Sequence, residues 1–219
     1  MSIFVTATGT EVGKTFFSTV WMLKYGIVRG WKYWKPVETG VEIESDFLKV
    51  KSYLGEENTI SPVYQFQYPA SPHYAAALEN SKVDFLLLEK YFYTYASQKI
   101  LIEGAGGVYV PLNEEILYLD FLEKFKLHFI VISSTELGTI NHTLLTIEAI
   151  QKRKLPILGF YMIGKKNKLF ESNYQAIERF SKVTFLGVTF LPEKKLSQEE
   201  LSFFAYNFFD KEKKMEKYL

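Results

Sequence analysis

A lysine and a threonine end the glycine-containing segment TATGTEVGKT, residues 6–15 of the chain. The segment fits the phosphate-loop pattern G-x-x-x-x-G-K-[ST] at every fixed position except the first, where Thr8 replaces glycine. Backbone N–H groups of such a loop bind phosphate oxygens, and the dipole of the following helix favours negative charge. Lys14 would add a positive charge beside the β- and γ-phosphates, and the Thr15 hydroxyl would be a magnesium ligand. The alternative interpretation is a glycine turn that ends in GKT by chance.

Three charged residues farther along the chain would complete a phosphoryl-transfer site. Lys35 begins the motif KPVETG, Asp46 follows in a polar stretch, and Glu103 begins the motif EGAGG. Taken singly, they also suit ordinary roles, namely a surface lysine, a helix N-cap and the partner of a basic side chain. Taken together, they would place one lysine and two carboxylates against the same phosphates. Magnesium-dependent phosphoryl transfer needs such a set, because carboxylates hold the metal and cations stabilise developing negative charge.

The elements that would position these residues are apolar strands that alternate with helices. Short apolar runs predict strands at residues 2–7, 32–37, 99–104, 128–134, 156–163 and 184–190. Helices are predicted at residues 14–30, 46–54, 71–80, 83–97, 141–152 and 170–181, and after Ser197. Strands that are apolar throughout indicate a parallel sheet covered on both faces, so the predicted class is a doubly wound α/β fold similar to that of P-loop NTPases. In such sheets, ligands bind where strands end and helices begin, and the GKT segment follows the first strand.

The length and composition indicate one folded domain and exclude several classes of function. The chain has 219 residues, 47% hydrophobic and 23% charged, so we expect a single domain over residues 1–219. A net charge of +1 gives no basic surface for nucleic acid or an acidic membrane. The absence of cysteine excludes disulfides and thiolate chemistry. No apolar run approaches the ~20 residues that span a bilayer, and the N-terminus has no basic leader, so a cytoplasmic location is expected.

Six short motifs, taken in order, resemble those of ATP-dependent dethiobiotin synthetases. They read TEVGKT, KPVETG, SD, SPH, EGAGG and LGTINH, and they lie at residues 10–15, 35–40, 45–46, 71–73, 103–107 and 137–142. The resemblance is strongest over residues 1–150 and weak after about residue 165. Several ordered motifs make it far more specific than a phosphate loop alone.

The resemblance implies a doubly wound fold, a homodimer, and an ATP-driven ring closure in biotin synthesis. In that reaction, 7,8-diaminononanoate (7,8-diaminopelargonate) takes up CO2 on one amine as a carbamate. ATP phosphorylates the carbamate, and the second amine then attacks it, closes a ureido ring and expels phosphate. A carbamate and a γ-phosphate are both anionic, so their approach needs cations on both sides.

The resemblance also implies a role for each matching residue. Lys14 would bind the β- and γ-phosphates, Lys35 the carbamate and the transferring phosphoryl group, and Thr10 would donate a hydrogen bond near the γ-phosphate. The magnesium ligands would be Thr15, Asp46 and Glu103. The residues expected to bind the nucleotide and its metal are Glu11, Val12, Gly13, Lys14, Thr15, Phe16, Asp46, Glu103, Gly104, Ala105 and Gly106.

The distant carboxylate of the substrate needs a separate anion site. Four residues before a predicted helix have free N–H groups that would hold it, and by the resemblance they would come from the partner subunit. These residues are Gly138, Thr139, Ile140 and Asn141. The alternative is plain helix capping by Asn141. Thr39, in the KPVETG motif, would donate a hydrogen bond near the substrate.

The expected base pocket departs from the family pattern. Family members commonly have an Asn-Asp pair that reads adenine after the strand matching GFYMI. In this chain Ile163 and Gly164 stand at those positions, and Asn167 is the nearest amide. Leu-Pro-Glu at residues 191–193 is similar to a later base-contacting loop of the family. We therefore expect relaxed base selectivity, so that nucleoside triphosphates other than ATP support turnover.

Two other classes of protein share parts of this pattern. A partitioning-type P-loop ATPase has the same fold, but it usually carries an extra lysine early in the loop, where this chain has Gly9. Its turnover would ignore the diamine and respond to DNA or membrane. A non-catalytic nucleotide-binding switch would bind nucleotide without releasing phosphate. A GTPase switch needs an N-K-x-D guanine motif, and GKKNK at residues 164–168 is not one.

Overall fold

A seven-stranded parallel sheet forms the centre of the computed structural model, which describes residues 2–125, 127–191 and 196–219. The strands in chain order are β1 (Ser2–Ala7), β2 (Lys32–Trp34), β3 (Val37–Thr39), β4 (Thr59–Ile60), β5 (Tyr64–Phe66), β6 (Ile100–Glu103), β7 (His128–Ser134), β8 (Ile157–Gly164) and β9 (Phe185–Phe190). The order across the main sheet is β4-β2-β6-β1-β7-β8-β9, and β3 pairs with β5 outside it. These strands all pair in parallel, as the uninterrupted apolar runs predicted.

Eight α-helices connect or cover the strands in the described part of the chain. They are α1 (Lys14–Trp21), α2 (Asp46–Leu54), α3 (Pro72–Leu78), α4 (Phe85–Thr94), α5 (Tyr118–Leu122), α6 (Thr139–Lys152), α7 (Phe170–Ser181) and α8 (Gln198–Asn207). Within these same residues, no helix combines the length and the apolar character needed to cross a bilayer. The predicted alternation of strands and helices is confirmed.

The helix after the phosphate loop changes pitch twice before it ends. It begins as α1, continues as a π-helical segment, Met22–Gly26, and closes as a 3-10 segment, Ile27–Arg29. Gly30 ends it with a φ of 72°, a left-handed conformation that glycine adopts without strain. The predicted helical span 14–30 is confirmed, although only its first part is a regular α-helix.

The predicted strand 32–37 is wrong as a single element, because the chain leaves the main sheet after β2. Pro36 has no N–H to donate to a strand ladder. Its carbonyl instead accepts the N–H groups of Val63 at 2.9 Å and Tyr64 at 3.1 Å, which starts the separate pairing of β3 with β5. Lys35 lies at this break, at the carboxyl end of β2, as the sequence predicted.

Alternate residues of β1 pack on opposite faces of the sheet. Ile3 and Val5 belong to one apolar cluster together with Phe17 of α1. Phe4 belongs to a second cluster, where its ring centroid lies 5.4 Å from that of Phe129. Each fully buried phenylalanine of this kind contributes about 1.5–3 kcal/mol through burial. Because successive side chains point to opposite faces of the sheet, β1 packs against apolar side chains on both faces and is buried in the middle of the molecule.

The loops after three neighbouring strands open at one edge of the sheet. β1 lies between β6 and β7, and β6 lies between β1 and β2. After α1 the chain moves to β2, beyond β6, and it later returns to β7 on the other side of β1. The connections therefore diverge at β1, which leaves a crevice at the carboxyl ends of β1, β2 and β6.

Candidate active site

The loop between β1 and α1 holds the backbone conformations that a phosphate loop requires. Glu11 has a φ of 55° and Gly13 a φ of 102°, both in the left-handed region. A Cβ on Gly13 would lie 2.9 Å from the side chain of Ile163, so both the φ and the space require glycine. Gly13 is the N-cap of α1 and provides no side-chain cap. The first-turn N–H groups of α1 are therefore suited to bind an anion.

Lys14, the first residue of α1, turns its ammonium back toward this loop. The side chain is buried, with 7% exposure for the residue, and its Nζ donates to the carbonyl oxygen of Gly9 at 3.2 Å. Burial lowers the pKa of Lys14 to about 8, and the nearby Glu103 carboxylate opposes this effect. An anionic ligand beside the ammonium would favour its charged form.

Glu103 ends β6 and is the most deeply buried charged group of the site. It is 0% exposed. Its Oε1 accepts hydrogen bonds from the Thr15 hydroxyl at 2.8 Å and from Lys35 Nζ at 3.2 Å, and its Oε2 accepts one from the Tyr33 hydroxyl at 3.1 Å. The carboxylate thus joins the carboxyl ends of β2 and β6 to the start of α1.

Lys35 lies between two carboxylates, those of Glu103 and Asp46, and forms an ion pair with each. Burial alone would lower the pKa of Lys35, but the two carboxylates outweigh burial and raise it. Burial likewise would raise the pKa of Asp46, and the Lys35 ammonium outweighs it and holds that pKa below the usual value of 3.8. At neutral pH the lysine is therefore a cation and Asp46 an anion.

The predicted catalytic residues open into one cavity of about 740 Å³. Lys14 and Lys35 both line it, so the two ammonium groups face the same space. The predicted site residues that line the cavity are Thr10, Glu11, Gly13, Lys14, Thr15, Phe16, Lys35, Thr39, Asp46, Ala105 and Gly106. Lys49 also lines the cavity, and a space with several lysines and carboxylates in its wall is suited to hold polyanionic ligands together with a metal.

The oxygens near Lys35 fit a magnesium ion. Thr15, Asp46 and Glu103 offer a hydroxyl and two carboxylates, which are hard oxygen donors of the kind that Mg2+ prefers. Among the described residues, no group of three or more His, Cys, Asp or Glu is placed to hold a metal without other ligands. Magnesium is usually bound by one or two carboxylates that act together with substrate phosphates and water, so two carboxylates are enough.

Three of the predicted nucleotide- and metal-binding residues do not line the cavity: Val12, Glu103, which is buried behind Lys35, and Gly104. Val12 packs against the apolar cluster around Phe17. Gly104 lies against Phe4, and a Cβ on this glycine would come within 2.7 Å of the phenylalanine ring. The glycine that follows β6 is therefore needed for the packing of this segment on the core. Its predicted contact with the nucleotide stays a prediction.

The four residues predicted to bind the substrate carboxylate lie outside this cavity. α6 begins at Thr139, two residues before the predicted start, and its N-cap is Gly138. The alternative of capping by Asn141 is therefore wrong. The Thr139 hydroxyl donates to the carbonyl of Ser134 at 2.6 Å, which fixes the turn between β7 and α6. Gly138, Thr139, Ile140 and Asn141 are not among the residues that line the cavity of the same chain.

The amide nearest to the expected base pocket is engaged inside the protein. Asn167 Nδ2 donates to the carbonyl of Thr135 at 2.7 Å, and its Oδ1 accepts the N–H of Leu169 at 3.0 Å. Each end of the carboxamide thus makes one hydrogen bond within the protein, which fixes its orientation. Ile163 packs on Gly13, at the back of the phosphate loop. Pro192 and Glu193, which resembled a base-contacting loop, lie outside the described residues.

The sequence did not indicate two polar residues that the structure places beside the site. Tyr33 donates its hydroxyl to Glu103. Glu38, inside the KPVETG motif, is buried and bonds to the start of α2. The position of Tyr33 two residues before Lys35 was an available signal, because side chains two apart in an extended segment point to the same side. Nothing local in the sequence marked Glu38 as buried.

Comparisons with known proteins agree on the type of protein. A family model described as an AAA domain matches residues 1–200. An ATP-dependent dethiobiotin synthetase, BioD, of Leptospira interrogans is 41% identical over 191 residues, which are 87% of this chain and 86% of that protein. A protein of the same name from Paramagnetospirillum magneticum is 38% identical over 187 residues, which are 84% of this chain and 85% of that protein.

Solved structures confirm the predicted fold class. A ParA family ATPase from Chlorobium tepidum has a TM-score of 0.55 and 10% identity, and the match covers 93% of this chain and 96% of that one. A putative plasmid partition protein from Borrelia burgdorferi, bound to AMPPNP, has a TM-score of 0.55 and 15% identity, with coverage of 99% and 97%. At such low identity, the likeness concerns the P-loop fold alone.

Proposed function

Since this chain belongs to the family of ATP-dependent dethiobiotin synthetases, we propose that it converts 7,8-diaminononanoate, CO2 and ATP to dethiobiotin, ADP and phosphate. The observation that carries the proposal is that Lys14 and Lys35 line one cavity, with Glu103 and Asp46 beside Lys35. Ammonium groups gathered in one cavity suit a reaction that must bring two anions into contact.

The first covalent step joins one amine nitrogen of the diamine to the carbon of CO2. The amine loses a proton, and the product is an anionic carbamate. Lys35 is suited to bind this anion because it stays charged at neutral pH and lies in the cavity wall. Thr39 belongs to the same KPVETG segment as Lys35, and it also lines the cavity, where it offers a hydroxyl group.

Phosphoryl transfer follows when a carbamate oxygen attacks the γ-phosphorus. The bond from that phosphorus to the β-γ bridging oxygen breaks, and ADP leaves with the electron pair. Lys14 would stabilise the charge that develops on the β- and γ-phosphates, and Lys35 the charge on the transferring group. Preorganised donors of this kind act strongly in a site from which water is excluded, and the loss of one costs about 10²–10³-fold in rate.

Magnesium, when bound, supplies Lewis-acid stabilisation of the phosphate oxygens. Thr15, Asp46 and Glu103 are the residues that would hold it. Glu103 is fully buried beneath the Thr15 hydroxyl and the Lys35 ammonium. The carboxylate therefore becomes accessible to a cation only when Lys35 moves away from it, toward the carbamate and the phosphoryl group.

Ring closure needs the second amine to reach the carbonyl carbon of the mixed anhydride. The new C–N bond forms, the bond from carbon to the phosphate oxygen breaks, and phosphate leaves with its electron pair while the amine loses a proton. Apolar side chains of Ile43, Pro69 and Val110 line the cavity. They offer a surface for the methylene chain of the substrate, and they reduce the access of water to the reactive anhydride.

The carboxylate end of the substrate would bind to residues 138–141 of a partner subunit in a homodimer. The support is geometric, since this segment begins a helix but does not line the cavity of its own chain. A long methylene chain separates the carboxylate from the two amines, so the two ends of the substrate need two separate anion sites.

We further infer that the nucleotide base is read weakly. The carboxamide of Asn167 is held by Thr135 and Leu169, and Ile163 presents only an apolar side chain. Among the described residues, neither Ile163 nor Gly164 offers the side-chain amide or carboxylate that reads adenine in the family, and a site with fewer such groups discriminates less between bases. ATP is the expected substrate of the family, and other nucleoside triphosphates should also react.

The experiment is an assay with purified protein, ATP, Mg2+, bicarbonate and 7,8-diaminononanoate, followed by mass analysis for a cyclic urea. We expect the product, together with ADP and phosphate, only when bicarbonate and diamine are both present. Lys14→Ala and Glu103→Ala should each lose orders of magnitude in rate. Phosphate release that ignores the diamine but rises with DNA or lipid vesicles would instead support a partitioning-type ATPase. Nucleotide binding without phosphate release would support a switch.

A further inference from the structure

Glu38 is a buried carboxylate that none of the proposed catalytic steps uses. It lies in the middle of β3 and is 1% exposed. Its Oε1 accepts the N–H of Phe47 at 3.0 Å, and its Oε2 accepts the Ser45 hydroxyl at 3.0 Å and the Gln65 side-chain amide at 2.9 Å. A buried charge is costly unless several hydrogen bonds satisfy it, and here three donors do so.

These hydrogen bonds tie three segments together around the start of α2. Glu38 belongs to β3, Gln65 to β5, and Ser45 and Phe47 to the N-terminal turn of the helix. The Ser45 hydroxyl also accepts the N–H of Leu48 at 3.1 Å, so it caps the helix while it donates to Glu38. A carboxylate at this end of the helix is also favoured by the helix dipole.

The two residues that Glu38 holds are the immediate neighbours of Asp46. The chain between Ser45 and Phe47 therefore has little freedom to move, and the first residue of α2 keeps its place. The Asp46 side chain is held separately, by its ion pair with Lys35. Two sets of contacts thus position Asp46: those of Lys35 and Thr15 with its side chain, and those of Glu38 with the flanking residues.

The two sets of contacts differ in what happens to them during the proposed reaction. Lys35 must leave Asp46 and Glu103 if its ammonium is to reach the carbamate and the transferring phosphoryl group. The bonds of Glu38 do not involve any group that touches substrate, so they persist when Lys35 moves.

We propose that Glu38 is a positioning residue. It holds Asp46 in place as a ligand for the divalent cation while the Lys35 ammonium moves from the Asp46 and Glu103 carboxylates to the transferring phosphoryl group. This inference rests on the proposed function in one respect, the movement of Lys35 toward a phosphoryl group. The placement of Asp46 by Glu38 is independent of which acceptor receives that group.

The first test uses Glu38→Ala and two readouts that need no turnover. Hydrogen exchange of the Phe47 amide, measured by NMR, should become at least about tenfold faster, because that N–H loses its acceptor. The Kd of Mn2+ in the presence of a non-hydrolysable ATP analogue, measured by electron paramagnetic resonance, should rise by about tenfold, while the metal-free Kd of the analogue stays within about twofold.

The matched control is Glu56→Ala. Glu56 is an exposed carboxylate just beyond the other end of α2, where it pairs with Lys51 at 2.9 Å. We expect its loss to change neither the Mn2+ Kd nor the exchange of the Phe47 amide. If Glu38→Ala behaves like this control in either readout, the proposal is overturned.

A second set of variants keeps the side-chain volume, in case Glu38→Ala does not fold. Gln65→Glu replaces the amide that now donates to Glu38 at 2.9 Å with a second carboxylate. The repulsion between the two carboxylates should displace Glu38 from α2 and thereby weaken Mn2+ binding. The double variant Glu38→Gln/Gln65→Glu restores one carboxylate and one amide. It should bind Mn2+ more tightly than Gln65→Glu alone, and an equal or weaker affinity would overturn the proposal.

The readouts also separate this inference from the proposed function. If the wild-type protein forms no cyclic urea, the proposed synthetase activity fails, yet the Mn2+ and exchange results remain decisive for Glu38. If the wild-type protein forms the product and the Glu38 variants bind Mn2+ normally, the synthetase activity stands and the role of Glu38 is wrong.

Discussion

Replacing Lys35 by alanine removes the cation that two buried or half-buried carboxylates share. In the wild-type protein, Lys35 Nζ lies 3.2 Å from Glu103 Oε1 and also contacts Asp46. The substitution leaves both carboxylates without this partner and removes one of the ammonium groups that line the cavity. It should therefore affect both the reaction rate and the stability of the fold, and the two effects can be measured separately.

The expected loss of rate follows from the loss of one preorganised donor to the transition state. Such a loss costs about 10²–10³-fold in kcat, equivalent to about 2.7–4 kcal/mol. Because Lys35 is proposed to contact both the carbamate and the phosphoryl group, we expect the upper end of this range. Lys14 remains in the variant and would preserve part of the affinity for nucleotide.

The expected loss of stability follows from the environment of the two carboxylates. Removing one partner of a buried ion pair costs ~3–5 kcal/mol. Glu103 is fully buried, but it keeps its hydrogen bonds from Thr15 and Tyr33, and the Asp46 side chain is 35% exposed and can be solvated. We therefore expect the lower end of that range, about 3 kcal/mol.

The stability should also respond differently to acid. The folded pKa of Asp46 is below its usual value of 3.8, so the ion pair contributes stability that is present above about pH 4 and is lost as the pH falls through the folded pKa. In Lys35→Ala this contribution is absent, so the free energy of unfolding of the variant should fall less steeply below pH 4 than that of the wild type.

The assay combines product formation with urea unfolding. Cyclic urea and phosphate are measured at saturating diamine and ATP, and the free energy of unfolding is measured from pH 3 to pH 8. Lys51→Ala is the control, because its ammonium forms a surface ion pair with Glu56 at 2.9 Å near the far end of α2, where such pairs contribute ~0–1 kcal/mol.

Near-normal turnover by folded Lys35→Ala would refute the role of this lysine. A loss of rate no larger than the unfolded fraction of the variant would refute it as well, since the residue would then act only through the stability of the fold.

Three further predictions concern other parts of the chain. Burial lowers the pKa of Lys14 to about 8, and a bound triphosphate favours its charged form. Nucleotide affinity should therefore fall as the pH rises above about 8, with proton uptake on binding detectable by calorimetry in two buffers. Turnover with GTP or CTP should lie within about a hundredfold of that with ATP, and a larger preference would show that the base is read by groups other than Asn167. Asp210→Ala should lower the free energy of unfolding by about 3 kcal/mol, because the carboxylate accepts hydrogen bonds from the Tyr25 hydroxyl and two backbone N–H groups. The exposed Glu212→Ala is its control in urea unfolding, and equal stability of the two variants would contradict the estimate.

The sequence predicted the elements well because their signals are local. Apolar runs in the sequence marked every strand of the main sheet that is longer than two residues. Ser45 before Asp46 marked the start of α2. The short strands β4 and β5 and the helix α5 were missed, since elements of two to five residues are too short to show a period. The break after β2 was predicted only in part: Pro36 placed Lys35 at a strand end, but the pairing of β3 with β5 is a tertiary contact.

By itself, the sequence determined the phosphate loop, the family and the residue types of the site, because glycine, proline, capping residues and hydrophobic periods act within a few positions of one another. Only the tertiary structure decided which side chains meet. Lys35 and Glu103 are 68 positions apart in the chain, and they come into contact because β6 packs directly beside β2. In the same way, the pairing of β3 with β5 brings Gln65 to Glu38, and the pairing of β7 with β8 brings Asn167 to Thr135. Burial and hydrogen-bond partners depend on which strands become neighbours, and that information is spread over the whole chain.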